Sequence, residues 1–181
     1  MSDLKTFQLV NLCKKQDQKA QLRLYNNYCE AMFNVSFRIV QDIYVAEDMM
    51  QEAFIKAFSQ LDRLNDPKMF GSWLKKIVIN NSLNYIHREK KNTFNVSIDE
   101  VLYKVEDEPD LYIDSSDAKL KEVLNAIREL KDNYRIVLSL HYIEGYDYEE
   151  IVEITGMSYS NCRTTISRAK ESLKKKLEVY V

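Results

Sequence analysis

The chain contains very few of the residues that interrupt helices. Its 181 residues include only three glycines and two prolines, and 45% of all residues are hydrophobic. A turn-rich all-β fold needs more of both, because many tight turns require a positive φ or a fixed φ. The scarcity therefore predicts an all-α fold, and the length suits one domain or two small ones.

Charge is distributed unevenly along the chain. The formal net charge is −2, yet residues 91–118 hold eight acidic and two basic residues and carry −6. Hydrophobic periodicity also fails between residues 92 and 117, which is typical of a solvated linker. The predicted organisation is an N-terminal helical bundle over residues 1–91, an acidic linker over 92–117 and a C-terminal helical unit over 118–181.

Hydrophobic periodicity places four helices in the first unit. Residues 4–10 suggest a short helix, and Asp17 can cap a second helix, on which Leu22 is expected to face the core. A third helix is predicted from about residue 45 to 64, before the break at residues 65–67. A fourth begins near Lys68, and the four are expected to pack as one bundle.

The C-terminal segment has the pattern of a helix-turn-helix. Asp147, with Glu150 three residues later, can form a capping box that starts one helix. Gly156 permits the left-handed turn that ends it, and Ser158 can cap the next helix. Polar and basic side chains then face outward along the second helix, as on a helix that lies in the major groove of DNA. A helical hairpin with a solvated basic face is the alternative interpretation.

Two further helix faces carry polar side chains at helical spacing. Asp48, Gln51 and Glu52 share one face of the third helix. A polar and basic stripe runs along the fourth helix: Lys76, Asn80, Asn84, His87 and Lys91, flanked by Lys75, Arg88 and Lys90. Amides and cations on one face suit an opened nucleic-acid strand. Taken alone, each face is also what the wet side of an ordinary helix looks like.

The sequence shows no pattern of a catalytic or metal site. His87 and His141 lack H-E-x-x-H spacing, no phosphate-cradling glycine loop or nucleophile motif occurs, and the three cysteines form no C-x-x-C pair. We therefore expect no enzymatic activity, no cofactor and no metal, with Cys162 buried and inert. No stretch approaches the ~20 apolar residues of a membrane span, which predicts no membrane insertion and a cytoplasmic protein.

Three motifs, in order and spacing, resemble those of bacterial RNA polymerase sigma factors of the extracytoplasmic-function subfamily. The pattern A-E-D-x-x-Q-E-x-F matches residues 46–54, and F-x-x-W-L followed by I-x-x-N matches residues 70–80. The pattern Y-x-E-I-A-E-I-x-G-I-S with a recognition helix matches residues 148–168. The resemblance covers nearly the whole chain. It implies a factor that binds core RNA polymerase, directs it to specific promoters and helps melt the −10 region.

The resemblance also implies a role for each surface, with the two units as sigma regions 2 and 4. The third-helix face would bind the clamp helices of the largest polymerase subunit through Asp48, Gln51 and Glu52. The loop over residues 61–69 and the fourth helix would hold the non-template strand of the −10 element through Lys75, Lys76, Asn80, Asn84, His87 and Arg88. The helix-turn-helix would read the −35 element through Ser158, Ser160, Asn161, Arg163, Thr164, Ser167, Arg168 and Lys170.

The remaining implied partners involve the linker and a regulator. The acidic linker would thread the polymerase toward the RNA exit path, and an anti-sigma factor is expected as a regulatory partner. The chain departs from the family pattern at two single positions and in one four-residue run: Gly71 replaces a frequent Arg, Asn84 a frequent Asp, and Cys162-Arg163-Thr164-Thr165 a common V-K-S-R. A stand-alone helix-turn-helix regulator, which binds a palindromic site as a dimer without polymerase, is the alternative function.

Overall fold

The computed structural model describes residues 2–93 and 118–179, and every regular element in these two ranges is helical. The main helices are α1 (Ser2–Lys14), α2 (Gln18–Val40), α3 (Ile43–Ser59), α4 (Phe70–Thr93), α5 (Ala118–Arg128), α6 (Asp132–Leu138), α7 (Tyr148–Thr155) and α8 (Tyr159–Val179). The predicted all-α fold is confirmed. The chain divides after Tyr85 into two compact units, and residues 94–117, most of the predicted linker, lie outside the described residues.

Side-chain caps start the helices of the first unit. The Asp17 carboxylate accepts a hydrogen bond from the Ala20 amide at 2.9 Å, which starts α2 as predicted. Asp42 accepts one from the Val45 amide at 2.9 Å, so α3 begins at Ile43. Each cap satisfies an amide that has no partner within the helix.

The third helix ends earlier than predicted. The backbone leaves the α conformation at Gln60 (φ −118°, ψ 18°), and two short 3₁₀ segments, Leu61–Arg63 and Pro67–Met69, lead into α4. Leu61 and Leu64 are buried. The Leu64 carbonyl accepts a hydrogen bond from Lys14 Nζ at 3.3 Å, so α1 supports this loop. The expectation of a helix to residue 64 was wrong because the apolar spacing also fits a buried, tightly wound loop.

The core of the first unit is formed by one stripe on each helix. Leu24, Ile39, Phe70, Leu74 and Ile79 are at most 1% exposed. The expectation that Leu22 faces this core was wrong, since 60% of its surface is exposed. Ala20 and Leu24 are buried. Leu22 lies two residues from each of them, which is about 200° around a helix, so it faces away from the core.

The second unit packs its helices around α8. Helices α5, α6 and α7 all contact α8, and the inner residues Val137, Leu138, Ile151 and Ile166 are almost wholly buried. A π-helical turn, Ser139–Ile143, follows α6 directly. Within the described ranges, no helix is both long enough and apolar enough to cross a bilayer.

Two serines connect α2 and α4 and allow a prediction about stability. Ser82 Oγ donates to the Val78 carbonyl, so the 2.9 Å contact between Ser36 Oγ and Ser82 Oγ has Ser36 as its donor. Ser82→Ala leaves the buried Ser36 hydroxyl without an acceptor and should lower the free energy of unfolding by about 1–3 kcal/mol. Ser36→Ala leaves the Ser82 hydroxyl bonded to the Val78 carbonyl, so it should lower that free energy by less. Urea unfolding followed by the fluorescence of Trp73, the single tryptophan, measures both, and equal costs would contradict this arrangement.

Gly71 gives a second prediction, because an aromatic ring occupies the space beside it. A Cβ on Gly71 would lie 2.8 Å from Cε1 of Tyr28, and that ring packs edge-on against Phe70 with centroids 5.4 Å apart. Gly71→Ala should therefore lower the free energy of unfolding by about 1–3 kcal/mol, which is measured as a lower urea midpoint. In a Tyr28→Leu background the same change should be neutral or stabilising, because alanine restricts the unfolded chain. A similar loss in both backgrounds would show that the ring is not the cause.

Candidate nucleic-acid and protein interfaces

Hydrogen bonds at both ends of α7 build the helix-turn-helix. The Asp147 carboxylate accepts from the Glu150 amide at 2.8 Å, and the Glu150 carboxylate accepts from the Asp147 amide at 3.1 Å. The predicted capping box is therefore present. At the other end Gly156 adopts φ 71°, the left-handed conformation that ends a helix at low cost for glycine.

The second helix of the motif, α8, is held by a stripe of small and branched side chains. Cys162, Ile166 and Ala169 are at most 1% exposed and follow one another at intervals of four and three residues. Burial, reinforced by the Glu149 carboxylate, raises the pKa of the Cys162 thiol. The thiol therefore stays protonated, which agrees with the expectation that Cys162 is buried and inert.

The outer side of α8 carries the side chains expected to contact the −35 duplex. All eight are exposed: Ser158, Ser160, Asn161, Arg163, Thr164, Ser167, Arg168 and Lys170. Ser158 Oγ accepts from the Asn161 amide at 3.3 Å, so this serine serves partly as the cap of the helix. Thr164 Oγ1 donates to the Ser160 carbonyl at 2.8 Å. The arginines and the amide at this helix end have the hydrogen-bonding groups that read base edges.

Lys170 lies at the edge of this face, beside an apolar groove. Its ammonium is 5.8 Å from the centroid of the Tyr142 ring, and hydrogen bonding to the Tyr142 hydroxyl raises the pKa of Lys170. The groove has a volume of about 830 Å³ and is lined by Val123, Ile127, Leu138, Tyr142, Lys170, Leu173, Lys174, Leu177 and Glu178. A DNA contact of Lys170 would therefore compete with its interaction with Tyr142. That DNA contact stays a prediction.

An aromatic residue at the start of α8 was missed by the sequence reasoning. Tyr159 is the first residue of the helix and 47% of its surface is exposed. Its ring packs on Tyr148 with centroids 6.2 Å apart, and Tyr148 packs on His141 at 5.0 Å. His141 Nδ1 lies 2.8 Å from the Tyr146 carbonyl, so this histidine has a hydrogen-bond partner within the fold. The feature of the sequence that could have pointed to Tyr159 is a large aromatic residue between two serines.

One face of α4 carries the stripe expected to hold an opened strand. Lys76, Asn80, Asn84, His87 and Arg88 are exposed, whereas Lys75 is half-buried. The opposite face carries the buried residues of the core. The loop before α4 places Asn65, Asp66, Lys68 and Met69 at the surface, and the Asp66 carboxylate fixes its turn by accepting from the Lys68 amide at 3.0 Å.

The outer face of α3 combines polar groups with large apolar ones. Asp48, Gln51 and Glu52 are exposed, as expected for a contact surface. Tyr44 and Ile55 lie on the same face, four residues before Asp48 and four after Gln51, and are 69% and 71% exposed. The sequence reasoning missed both, although an isoleucine outside the inward pattern of this helix was visible.

Two region profiles match the chain, and together they span most of both units. The Sigma-70 region 2 profile matches residues 24–92, and the Sigma-70 region 4 profile matches residues 120–173. Within the described residues, no group of three or more His, Cys, Asp or Glu is arranged to hold a metal ion.

Similar proteins extend these matches over nearly the full chain. The chain is 32% identical over 156 residues to RNA polymerase sigma factor YlaC of Bacillus subtilis, which covers 85% of this chain and 90% of that protein. It is 30% identical over 194 residues to the ECF RNA polymerase sigma factor SigW of the same organism, with coverage of 93% and 94%. The fold is similar to that of sigma factor RpoE from Bartonella quintana, solved with the anti-sigma factor NepR (TM-score 0.60, 22% identity, coverage 87% and 96%). The chain therefore belongs to the extracytoplasmic-function (ECF) family of RNA polymerase sigma factors.

Proposed function

We propose that the protein starts transcription by using three helix faces on three different targets. The outer face of α3 binds core RNA polymerase, α4 with the loop over residues 61–69 holds the opened −10 strand, and α8 reads the −35 duplex. The observation that supports the proposal most strongly is the exposed polar and basic side of α8. The other side of this helix is buried along the stripe of Cys162, Ile166 and Ala169. A stand-alone regulator would not account for the family match over both units.

The proposed domain organisation follows the predicted boundaries. Residues 1–91 form the unit for polymerase and the −10 element, residues 92–117 link it to residues 118–181, and the latter bind the −35 element. Because core polymerase and its DNA are the targets, the protein acts in the cytoplasm. An anti-sigma factor that covers one or both units would regulate it, and RpoE from Bartonella quintana offers a precedent for such a complex.

Promoter melting in this proposal needs binding energy and no catalytic group. Each extruded base costs a few kcal/mol of unstacking and unpairing. Stacking, cations and amides along a strand-binding surface can offset that cost. Two small modules on one chain gain affinity once polymerase fixes their spacing, so the isolated protein should bind promoter DNA weakly.

The chemistry of the α3 face indicates what kind of surface it contacts. Two carboxylates repel nucleic acid, which is a polyanion, but complement the basic side chains of a protein. Tyr44 and Ile55 supply apolar area at the two ends of the same face, and interfaces draw most of their binding energy from a few such anchors.

Removing the polar groups of the α3 face should weaken polymerase binding. The variant Asp48→Ala/Gln51→Ala/Glu52→Ala changes only exposed side chains, so its stability should stay within about 0.5 kcal/mol of the wild type. Binding to sigma-free core polymerase, measured by fluorescence anisotropy or size-exclusion chromatography, should fall at least about tenfold. Tyr44→Ala/Ile55→Ala should weaken binding in the same assay.

A matched variant controls for the loss of charge and amide groups. Gln8→Ala/Glu30→Ala/Asp62→Ala removes the same residue types from other exposed positions of the first unit and should leave polymerase affinity unchanged. Equal weakening by both triple variants would show that net charge matters rather than this face. A folded wild type that does not bind core polymerase would sink the proposal.

Promoter selection should depend on the arginines of α8. Arg163→Ala should reduce transcription from a promoter with the preferred −35 element by about tenfold or more, because an arginine contact with a base is worth about 1–3 kcal/mol. Transcription with reconstituted holoenzyme, on templates with and without that element, measures the effect. Lys121→Ala removes one exposed positive charge from α5 and should change neither template. A loss confined to the template without the −35 element would contradict the assignment.

A further inference from the structure

A hydrogen bond joins a buried side chain of α8 to an exposed one. Thr165 is only 7% exposed, and its hydroxyl donates to the Asn161 Oδ1 atom at 3.3 Å. Asn161 is the third residue of α8 and is exposed. The N-terminal turns of a recognition helix are the part that reaches base edges.

This bond makes the two ends of the Asn161 amide unequal. Asparagine carries one acceptor oxygen and an amino group with two donor hydrogens. Thr165 takes one of the two acceptor positions of the oxygen and holds it toward the buried side of α8, which favours the amino group as the group offered to a ligand outside the helix. A free asparagine pairs with adenine by using both ends, since adenine offers the N7 acceptor and the N6 donor. Guanine, with N7 and O6, and thymine, with O4, offer acceptors only.

Thr165 cannot itself be a contact for DNA, because it lies in the stripe that includes Cys162, Ile166 and Ala169. The V-K-S-R pattern of the related family has a cation where this chain has the short hydroxyl of Thr165. The hydroxyl is satisfied within the helix through the residue one turn earlier.

We propose that Thr165 is a positioning residue for promoter selection. By holding Asn161 Oδ1, it makes Asn161 act as a donor and select guanine or thymine over adenine at one base pair of the −35 element. The inference rests on the proposed function, in which α8 reads the −35 duplex, and it adds the residue that sets the base preference at one position.

Four proteins and a promoter library test the inference. Holoenzyme reconstituted from core polymerase and wild type, Asn161→Ala, Thr165→Val or Thr165→Ser would transcribe templates randomised across the −35 element, with the transcripts sequenced. Asn161→Ala should remove the preference at one position. Thr165→Val, which keeps the volume but not the hydroxyl, should raise the use of adenine at that same position by about tenfold. Thr165→Ser keeps the hydroxyl and should match the wild type.

Each contrary result has a distinct meaning. A Thr165→Val profile identical to that of the wild type would overturn the inference, as would a Thr165→Ser profile that shifts like that of valine. A general loss of transcription by Thr165→Val, with thermal unfolding at a lower temperature, would assign Thr165 a merely structural role and overturn it too. A wild-type holoenzyme with no −35 preference would overturn the proposed function itself, and that result is visible without any variant.

Discussion

The burial of one side of α8 orients the whole C-terminal surface. Cys162, Ile166 and Ala169 anchor the helix among α5, α6 and α7, and because a helix is stiff, the buried stripe also fixes the directions of Arg163, Thr164 and Arg168. A rotation of one residue, about 100°, would bury part of the polar face. The capping box before α7 and the left-handed Gly156 before α8 set the angle at which the two helices meet, so the motif depends on both.

The first unit uses the same division of a helix into an inner and an outer side, with different chemistry on each outer side. On α3 the outer groups are carboxylates, an amide and two large apolar side chains, a combination that suits a protein partner. On α4 they are amides and cations, which suit phosphates and the edges of bases. The carboxylates of α3 would repel the phosphates of DNA, which are also negatively charged. The two faces therefore differ in the class of macromolecule they can bind, although both belong to amphipathic helices of the same unit.

Cooperation between weak contacts explains how such a small protein can act on duplex DNA. Each face offers only a few hydrogen bonds and little apolar area, and each bond contributes a modest net free energy once water is displaced. In the proposed complex, polymerase bound at the α3 face fixes the spacing of the two units, so the DNA contacts of α4 and α8 become intramolecular and gain effective concentration. Specificity can then come from small features such as the Asn161–Thr165 pair, because the bulk of the affinity is supplied elsewhere.

The sequence by itself determined the features that depend on neighbours within one or two turns. The scarcity of glycine and proline, the capping residues Asp17 and Asp147 and the turn at Gly156 indicated the helices and the helix-turn-helix, because caps and periodicity are local interactions. Helical spacing was also enough to predict that seven polar side chains of α8, from Ser160 to Lys170, face outward. Only the tertiary structure decided that Leu22, Tyr44 and Ile55 stay exposed, that α3 ends at Ser59, and that Thr165 is buried while bonded to Asn161. Those outcomes depend on which side of each helix another helix covers, and a residue's type and spacing do not specify that neighbour.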